Sequence, residues 1–80
     1  MLYIDGVGER LISHLRARRS EASLTQDALA KAIGVSRQTI NSIEAERYVP
    51  STVLALRLSA ALGTAVEQLF ALPKPPGDST

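Results

Sequence analysis

The stretch from Gln26 to Ile43, QDALAKAIGVSRQTINSI, constrains this chain more than any other. Its polarity pattern is that of two short helices meeting at a tight corner. Thr25 can cap the first, its side-chain oxygen accepting a backbone N–H that a helix start leaves without an internal partner. Leu29, Ala30 and Ile33 recur at helical spacing and give that helix one apolar face. Gly34 stands where a chain leaving a helix turns left-handed, a conformation that costs glycine little. Val35 is apolar and can plug the corner. Ser36 can cap the second helix, whose buried face is Ile40 and Ile43, three residues apart. Ala30 is small where two crossing helices approach most closely.

The rest of that second helix is Arg37, Gln38, Thr39, Asn41 and Ser42. A face turned only to water would more often carry Glu and Lys, the stronger helix formers. Short or planar hydrogen-bonding groups with a single positive charge suit a surface that touches something.

Length and composition bound what that something can be. Eighty residues allow one domain with a modest core. With no cysteine there is neither a disulfide framework nor a thiolate metal site, and nothing suggests secretion. His14 is the single histidine and has no ligating companion, so it is expected at the surface or its boundary, and no metal or cofactor is expected. No apolar run is long enough to span a bilayer, and Met1-Leu2-Tyr3-Ile4-Asp5 lacks a signal peptide's basic start. A cytoplasmic protein with no membrane partner is the default expectation. The net charge of +1 does not by itself mark a nucleic-acid binder, so the placement of the arginines must carry that argument.

Taken in order, residues 1–8 read as an irregular apolar arm containing Gly6 and Gly8. Tyr3 and Ile4 pack back on the domain or against a second subunit, or the arm is a frayed terminus. The spacing predicts a first helix from about Gly8 to Arg19, with Leu11, Ile12 and Leu15 inward and Arg10, Arg16, Arg18 and Arg19 mainly on its other surfaces. Beyond the paired helices, Pro50 stops any continuation and Ser51 can cap a fourth helix. Val53, Leu54, Leu56, Leu58, Ala60, Ala61 and Leu62 make that helix apolar over most of its surface, so it is central or has a second apolar neighbour. Gly63 ends it. Thr64 and Glu67 form a capping-box pattern opening a short fifth helix with Val66, Leu69 and Phe70 as its apolar residues. From Pro73 onward the polar, proline-rich PKPPGDST reads as a disordered tail or linker. The chain thus divides into an arm at 1–8, a helical domain at 9–71 and a tail or linker at 72–80, with no internal repeat.

Several groups of residues then fall into a familiar order: Leu24-Thr25-Gln26, Ala30 with Gly34, Val35-Ser36-Arg37-Gln38-Thr39-Ile40, Ile43-Glu44, Pro50-Ser51, Ala61-Leu62-Gly63 and Leu69-Phe70. Together they resemble the Cro/repressor, or XRE-type, helix-turn-helix family of bacterial and phage DNA-binding proteins. The likeness spans roughly Ile12 to Phe70. A bare helix-turn-helix pattern is a weak signal, because any small helical bundle contains such corners; the whole ordered set is specific. The resemblance implies an all-α fold, a compact five-helix, lambda-repressor-like DNA-binding domain. It also implies that the helix over 36–45 lies in the major groove of double-stranded DNA.

In that setting an arginine can donate two hydrogen bonds to O6 and N7 of guanine, and a glutamine can pair bidentately with adenine. Arg37 and Gln38, at the exposed start of the helix, are therefore the first candidates for base contact. Ser42 is next, one turn on, and Thr39 and Asn41 reach either bases or phosphates. Gln26 resembles the family's glutamine that holds a phosphate beside a helix N-terminus, where the dipole favours an anion. Thr25 and Ser36, at the two helix starts, join it as phosphate candidates. Arg47 and Tyr48, just beyond the recognition helix, are candidates for phosphate contacts that fix orientation. Arg16 matches the family's arginine that pairs with the glutamate ending the recognition helix, here Glu44.

Two departures from the family pattern stand out. About three additional residues between Leu15 and Leu24, in Ser20-Glu21-Ala22-Ser23, lengthen either the first helix or its loop and make Arg19 a rival partner for Glu44. Glu46 stands where the family commonly has a glycine in left-handed conformation. Either the helix exits differently here, or a glutamate is held in a strained backbone.

One such domain reads only a few base pairs, so a homodimer on an inverted repeat is the usual solution. Val66, Leu69 and Phe70, with parts of the fourth helix, supply its interface or are ordinary core. The expected function is a sequence-specific DNA-binding transcriptional regulator, most simply a repressor that occludes a promoter. The alternative is an antitoxin-like or partner-antagonised regulator acting through protein–protein contact; an exposed apolar surface around Tyr3, Leu69 and Phe70 would favour it. An enzyme has little support: no cysteine, one histidine, no phosphate-binding glycine loop and no carboxylate pair placed for acid–base work. RNA is a poor fit, because Tyr3, Tyr48 and Phe70 offer no stacking platform. Arg47-Tyr48-Val49-Pro50-Ser51 and the tail also resemble regulators in which an effector-binding domain follows. A complete short regulator and a fragment missing that domain both stay open.

Overall fold

The structure, a computed structural model, describes residues 10–73. The arm at 1–8, with Tyr3 and Ile4, and the chain beyond Pro73 lie outside the described residues. Five helices follow in order: α1 (Leu15–Glu21), α2 (Gln26–Ile33), α3 (Arg37–Glu44), α4 (Thr52–Leu62) and α5 (Val66–Leu69). A two-residue strand precedes them, β1 (Ile12–Ser13), and another ends them, β2 (Phe70–Ala71). Among the described residues no helix is long and apolar enough to cross a membrane.

The three longer helices begin as the sequence predicts, on a hydroxyl cap. Thr25 Oγ1 accepts from the Ala28 N–H at 3.0 Å, Ser36 Oγ from Thr39 at 3.1 Å and Ser51 Oγ from Leu54 at 3.1 Å. α2 ends at Gly34, which takes φ +79°, and both Gly34 and Val35 donate their N–H to the Ala30 carbonyl. That left-handed step reverses the chain sharply enough to lay α3 across α2. Leu29, Ala30 and Ile33 of α2 are buried with Ile40 and Ile43 of α3, and Val35 packs on them from the corner. Leu15, Leu54, Leu58, Leu69 and Phe70 complete one core.

The first helix is shorter than predicted. Leu11 and Leu15 do face the core, but Ile12 is only half-buried, and Ile12 and Ser13 are extended and pair antiparallel with Ala71 and Phe70. The His14 N–H donates to the Leu69 carbonyl at 2.8 Å, and the helix starts only at Leu15. Backbone groups at 12–14 find their partners near the other end of the chain, which a local periodicity cannot reveal. His14 itself is exposed, at the helix cap.

The stretch Ser20–Ser23 divides between the helix and its turn. Ser20 and Glu21 finish α1, and Ser23 takes the left-handed turn at φ +59° while Leu24 donates to the Arg19 carbonyl at 3.1 Å. At the other end, the expected capping box of Thr64 and Glu67 does not form. Thr64 Oγ1 donates backward to the Leu62 carbonyl at 3.1 Å, and the N-cap is Ala65, without a side-chain bond.

α4 buries Leu54 and Leu58 and leaves Val53 and Leu56 about three-fifths exposed, at 60% and 57%. Its opposite face therefore has no apolar neighbour among the described residues. Arg57 Nη1 points back to the Ile33 carbonyl at 3.5 Å, at the negative end of α2.

Candidate nucleic-acid interface

α3 turns Ile40 and Ile43 into the core and Arg37, Gln38 and Asn41 into solvent, with Thr39 and Ser42 half-buried at its sides. Two shallow hollows flank this ridge. Gln26, Arg37, Gln38 and Asn41 line one; Ser36, Gln38, Thr39, Ser42, Arg47 and Tyr48 line the other. Gln38 lies between them and borders both. The structure thus brings to one surface all five side chains expected to meet bases, together with Gln26, Ser36, Arg47 and Tyr48. Thr25 borders a neighbouring hollow with Gln26 and Arg37.

The hydroxyls are partly spent on the fold. Thr25 and Ser36 cap their helices, and the Thr39 and Ser36 hydroxyls lie 2.9 Å apart. Arg47 Nη2 donates to Asn41 Oδ1 at 3.1 Å, and its backbone N–H donates to the Ser42 carbonyl at 2.9 Å. A guanidinium has no acceptor, so the Asn41 amide oxygen must face Arg47 and its NH₂ faces away. These two residues are six apart across a helix end, a spacing that no periodic pattern singles out. Tyr48 is 46% exposed beside them.

Behind the ridge sits a charged knot. Arg19 Nε donates to Glu44 Oε2 at 2.6 Å and Arg19 Nη2 to Glu44 Oε1 at 3.2 Å, a bidentate pair. Arg19 Nη1 also donates to the Leu24 carbonyl at 2.7 Å, and Gln26 Nε2 donates to Glu44 Oε1 at 3.0 Å. The side chains of Arg19 and Glu44 are only 13% and 5% exposed. Hydrogen bonding to Glu44 holds the Arg19 guanidinium above its ordinary pKa, against the opposing effect of burial.

Arg19, and not Arg16, is therefore the partner of Glu44. Helix geometry explains the correction. Arg19 follows the buried Leu15 by four residues and shares its inward stripe, whereas Arg16 is rotated about 100° away and is exposed.

Glu46 does adopt the left-handed conformation, at φ +64°. Its Oε2 accepts the Ser13 N–H at 3.0 Å and its Oε1 lies 3.5 Å from Arg10 Nη2. The Ser13 hydrogen bond, with Arg10 beside it, lowers the Glu46 pKa below its ordinary value. The side chain thus compensates a backbone that glycine would adopt freely, and it ties β1 to the exit of α3.

The apolar residues assigned to a dimer interface lie elsewhere. Leu69 is fully buried and Phe70 is 7% exposed, both in the core, and Val66 packs half-buried against it. Phe70 is tied into the ladder with Ser13, so the last elements close the domain on itself. The apolar surface that would have favoured a protein-partner role is accordingly absent at Leu69 and Phe70; Tyr3 lies outside the described residues.

The sequence profile of the helix-turn-helix family HTH_3 matches residues 15–69, from the first residue of α1 to the last of α5. The chain belongs to this XRE-type helix-turn-helix family of DNA-binding transcription regulators. This helix-turn-helix protein is 48% identical over 59 residues to an uncharacterized HTH-type transcriptional regulator of Methanothermobacter thermautotrophicus, covering 72% of the chain and 86% of that relative. It is 39% identical over 59 residues to the uncharacterized HTH-type transcriptional regulator YgzD of Bacillus subtilis, covering 74% and 85%. Among solved structures it resembles the restriction-modification controller protein C.AhdI of Aeromonas hydrophila, with a TM-score of 0.66 and 32% identity over 70% of the chain and 85% of that protein. Within this helix-turn-helix frame α2 and α3 are the paired helices, and α3 presents the exposed ridge.

Proposed function

We propose that the protein is a sequence-specific regulator, a repressor, that reads double-stranded DNA by placing α3 in the major groove. One observation carries this reading. The row Arg37, Gln38 and Asn41 is exposed between Gln26 and the Arg47-Tyr48 pair, and every carboxylate bordering it is already matched by a cation. Asp27 is 3.2 Å from Lys31, Glu44 is held by Arg19, and Glu46 lies beside Arg10. Arg37 and Arg47 make no salt bridge among the described residues, so their charge is free for a polyanion.

Arg37, Gln38, Asn41 and Ser42 meet base edges, with Thr39 at the margin. Gln26 and the starts of α2 and α3 at Thr25 and Ser36 take phosphates on one side, and Arg47 and Tyr48 on the other. Two copies bind an inverted repeat, pairing through the exposed row Val53, Leu56 and Ala60 of α4, with recognition helices about 34 Å apart.

The test is selection of bound sites from random duplex DNA at physiological salt, where nonspecific affinity does not mask preference. Two inverted half-sites about one helical turn apart are expected. A single enriched half-site would remove the dimer, and no enrichment would remove the DNA reading and bring a protein partner to the front.

A further inference from the structure

Gln26 stands between two demands. As a phosphate ligand it must turn an N–H outward, yet the structure ties its amide to a carboxylate, Glu44 Oε1, at 3.0 Å. A carboxylate only accepts, so the amide nitrogen must be the end that faces it. That nitrogen carries two hydrogens. One is used by Glu44 and the other makes no hydrogen bond among the described residues; Gln26 opens α2, where the first backbone N–H groups have no intrahelical partner.

Left bare, Glu44 would repel the very phosphate that Gln26 is meant to hold. Arg19 prevents this from behind. It grips both carboxylate oxygens and, with its third nitrogen, the Leu24 carbonyl one residue ahead of the α2 cap. Asp27, the acid in the first turn of α2, pairs with Lys31 one turn on. The knot therefore joins three things: the end of the helix that reads bases, the start of the helix that takes phosphate, and the cation that neutralises the acid between them.

Resting on the DNA-binding reading above, we propose that Arg19 and Glu44 are positioning residues for DNA binding: Glu44, neutralised by Arg19, fixes the Gln26 amide toward a phosphate and so locks the backbone contact to the register of α3. Neither side chain needs to touch DNA. Their effect passes entirely through Gln26, and this separates a positioning role from a merely structural one.

The experiment titrates a short mixed-sequence DNA duplex by fluorescence anisotropy at low and at moderate salt, using the full chain. Gln26→Ala is expected to weaken binding about tenfold, the loss of one hydrogen bond to a charged group. Arg19→Met alone strands a buried carboxylate and threatens folding. The paired substitution Arg19→Met with Glu44→Met removes both charges, an exchange that buried ion pairs tolerate, and circular dichroism melting checks the fold. This pair is expected to weaken binding by the same factor as Gln26→Ala. Adding Gln26→Ala to it should change nothing further, and the salt slope should match the wild type, since no net charge is lost. Arg19→Met with Glu44→Gln keeps an oxygen for the Gln26 N–H without leaving a buried charge unpaired, and should bind within about twofold of wild type.

Wild-type affinity in the methionine pair, or a full Gln26→Ala loss in that background, would overturn the proposal. So would a loss in the Arg19→Met, Glu44→Gln pair as large as that of the methionine pair. Absence of effect from Gln26→Ala in the wild type would overturn it while leaving the DNA reading intact. Failure of the wild type to bind the duplex at low salt would instead overturn the DNA reading, and this proposal with it.

Discussion

Ile40 offers the sharpest test of how α3 is held. It is fully buried, and with Ile43 it is one of two anchors that an eight-residue helix offers to the core. Ile40→Ala deletes three carbons, worth about 2.4 kcal/mol at roughly 0.8 kcal/mol for each buried CH₂. The hole between α2 and α3 adds a cavity cost, so about 3 kcal/mol is expected within the range of about 2–5 seen for such truncations. For a chain of this length the whole stability is about 4–12 kcal/mol, so a quarter or more of it would go. Urea unfolding followed by circular dichroism should show a lower midpoint at unchanged slope, and the melting temperature should fall by about 12–24 °C at roughly 4–8 °C per kcal/mol. Gln68→Ala, exposed on α5 and outside the α4 row, is the control and should move stability by less than about 0.5 kcal/mol. A loss below about 1 kcal/mol for Ile40→Ala at unchanged slope would refute the closed α2–α3 core, because a fully buried isoleucine cannot be cut back so cheaply.

Other perturbations separate the remaining roles. Arg37→Ala should lose about 1–3 kcal/mol of specific binding and relax preference at one base position, while barely altering nonspecific binding; unchanged preference in a site selection would take Arg37 out of the readout. Arg47→Ala should weaken binding to all sequences and reduce the salt slope by about one; a loss confined to one sequence would contradict its phosphate role. Leu56→Glu should turn a dimer into a monomer in sedimentation velocity while leaving the melt of the isolated domain nearly unchanged, and a persistent dimer would move the interface off α4. Glu46 has a lowered folded-state pKa, so its contribution is present above the unfolded value and is lost as pH falls through the folded one. Glu46→Gln should therefore flatten the acid-side decline of stability seen in urea titrations, and an unaltered decline would detach the Ser13 bond from folding.

What could be read from the residues alone was whatever a few neighbours decide. Thr25, Ser36 and Ser51 cap their helices because a hydroxyl reaches an N–H three residues on, wherever the helix later packs. Gly34 and Gly63 turn left-handed because such exits favour glycine, and Leu29, Ile33, Ile40 and Ile43 face inward because their spacing leaves them one stripe. The ordered set of such signals was enough to point to the helix-turn-helix family, and hence to the ridge Arg37–Ser42 as the face proposed to read DNA.

Tertiary structure decided whatever depends on residues far apart. Ile12 became a strand because its partner is Ala71, which no local pattern couples to it. Arg19 displaced Arg16 because only the residue on the Leu15 stripe can reach Glu44 from within the bundle. Leu69 and Phe70 looked equally suited to a core or an interface, since an apolar side chain does not encode what covers it; β1 and α4 covered them. Glu46 shows both levels at once. Its position after a helix foretold a left-handed turn, while the Ser13 N–H that its carboxylate accepts came from the opposite end of the fold. Capping and periodicity are short-range and written in sequence; pairing and burial are set by which distant groups the folded chain brings within reach.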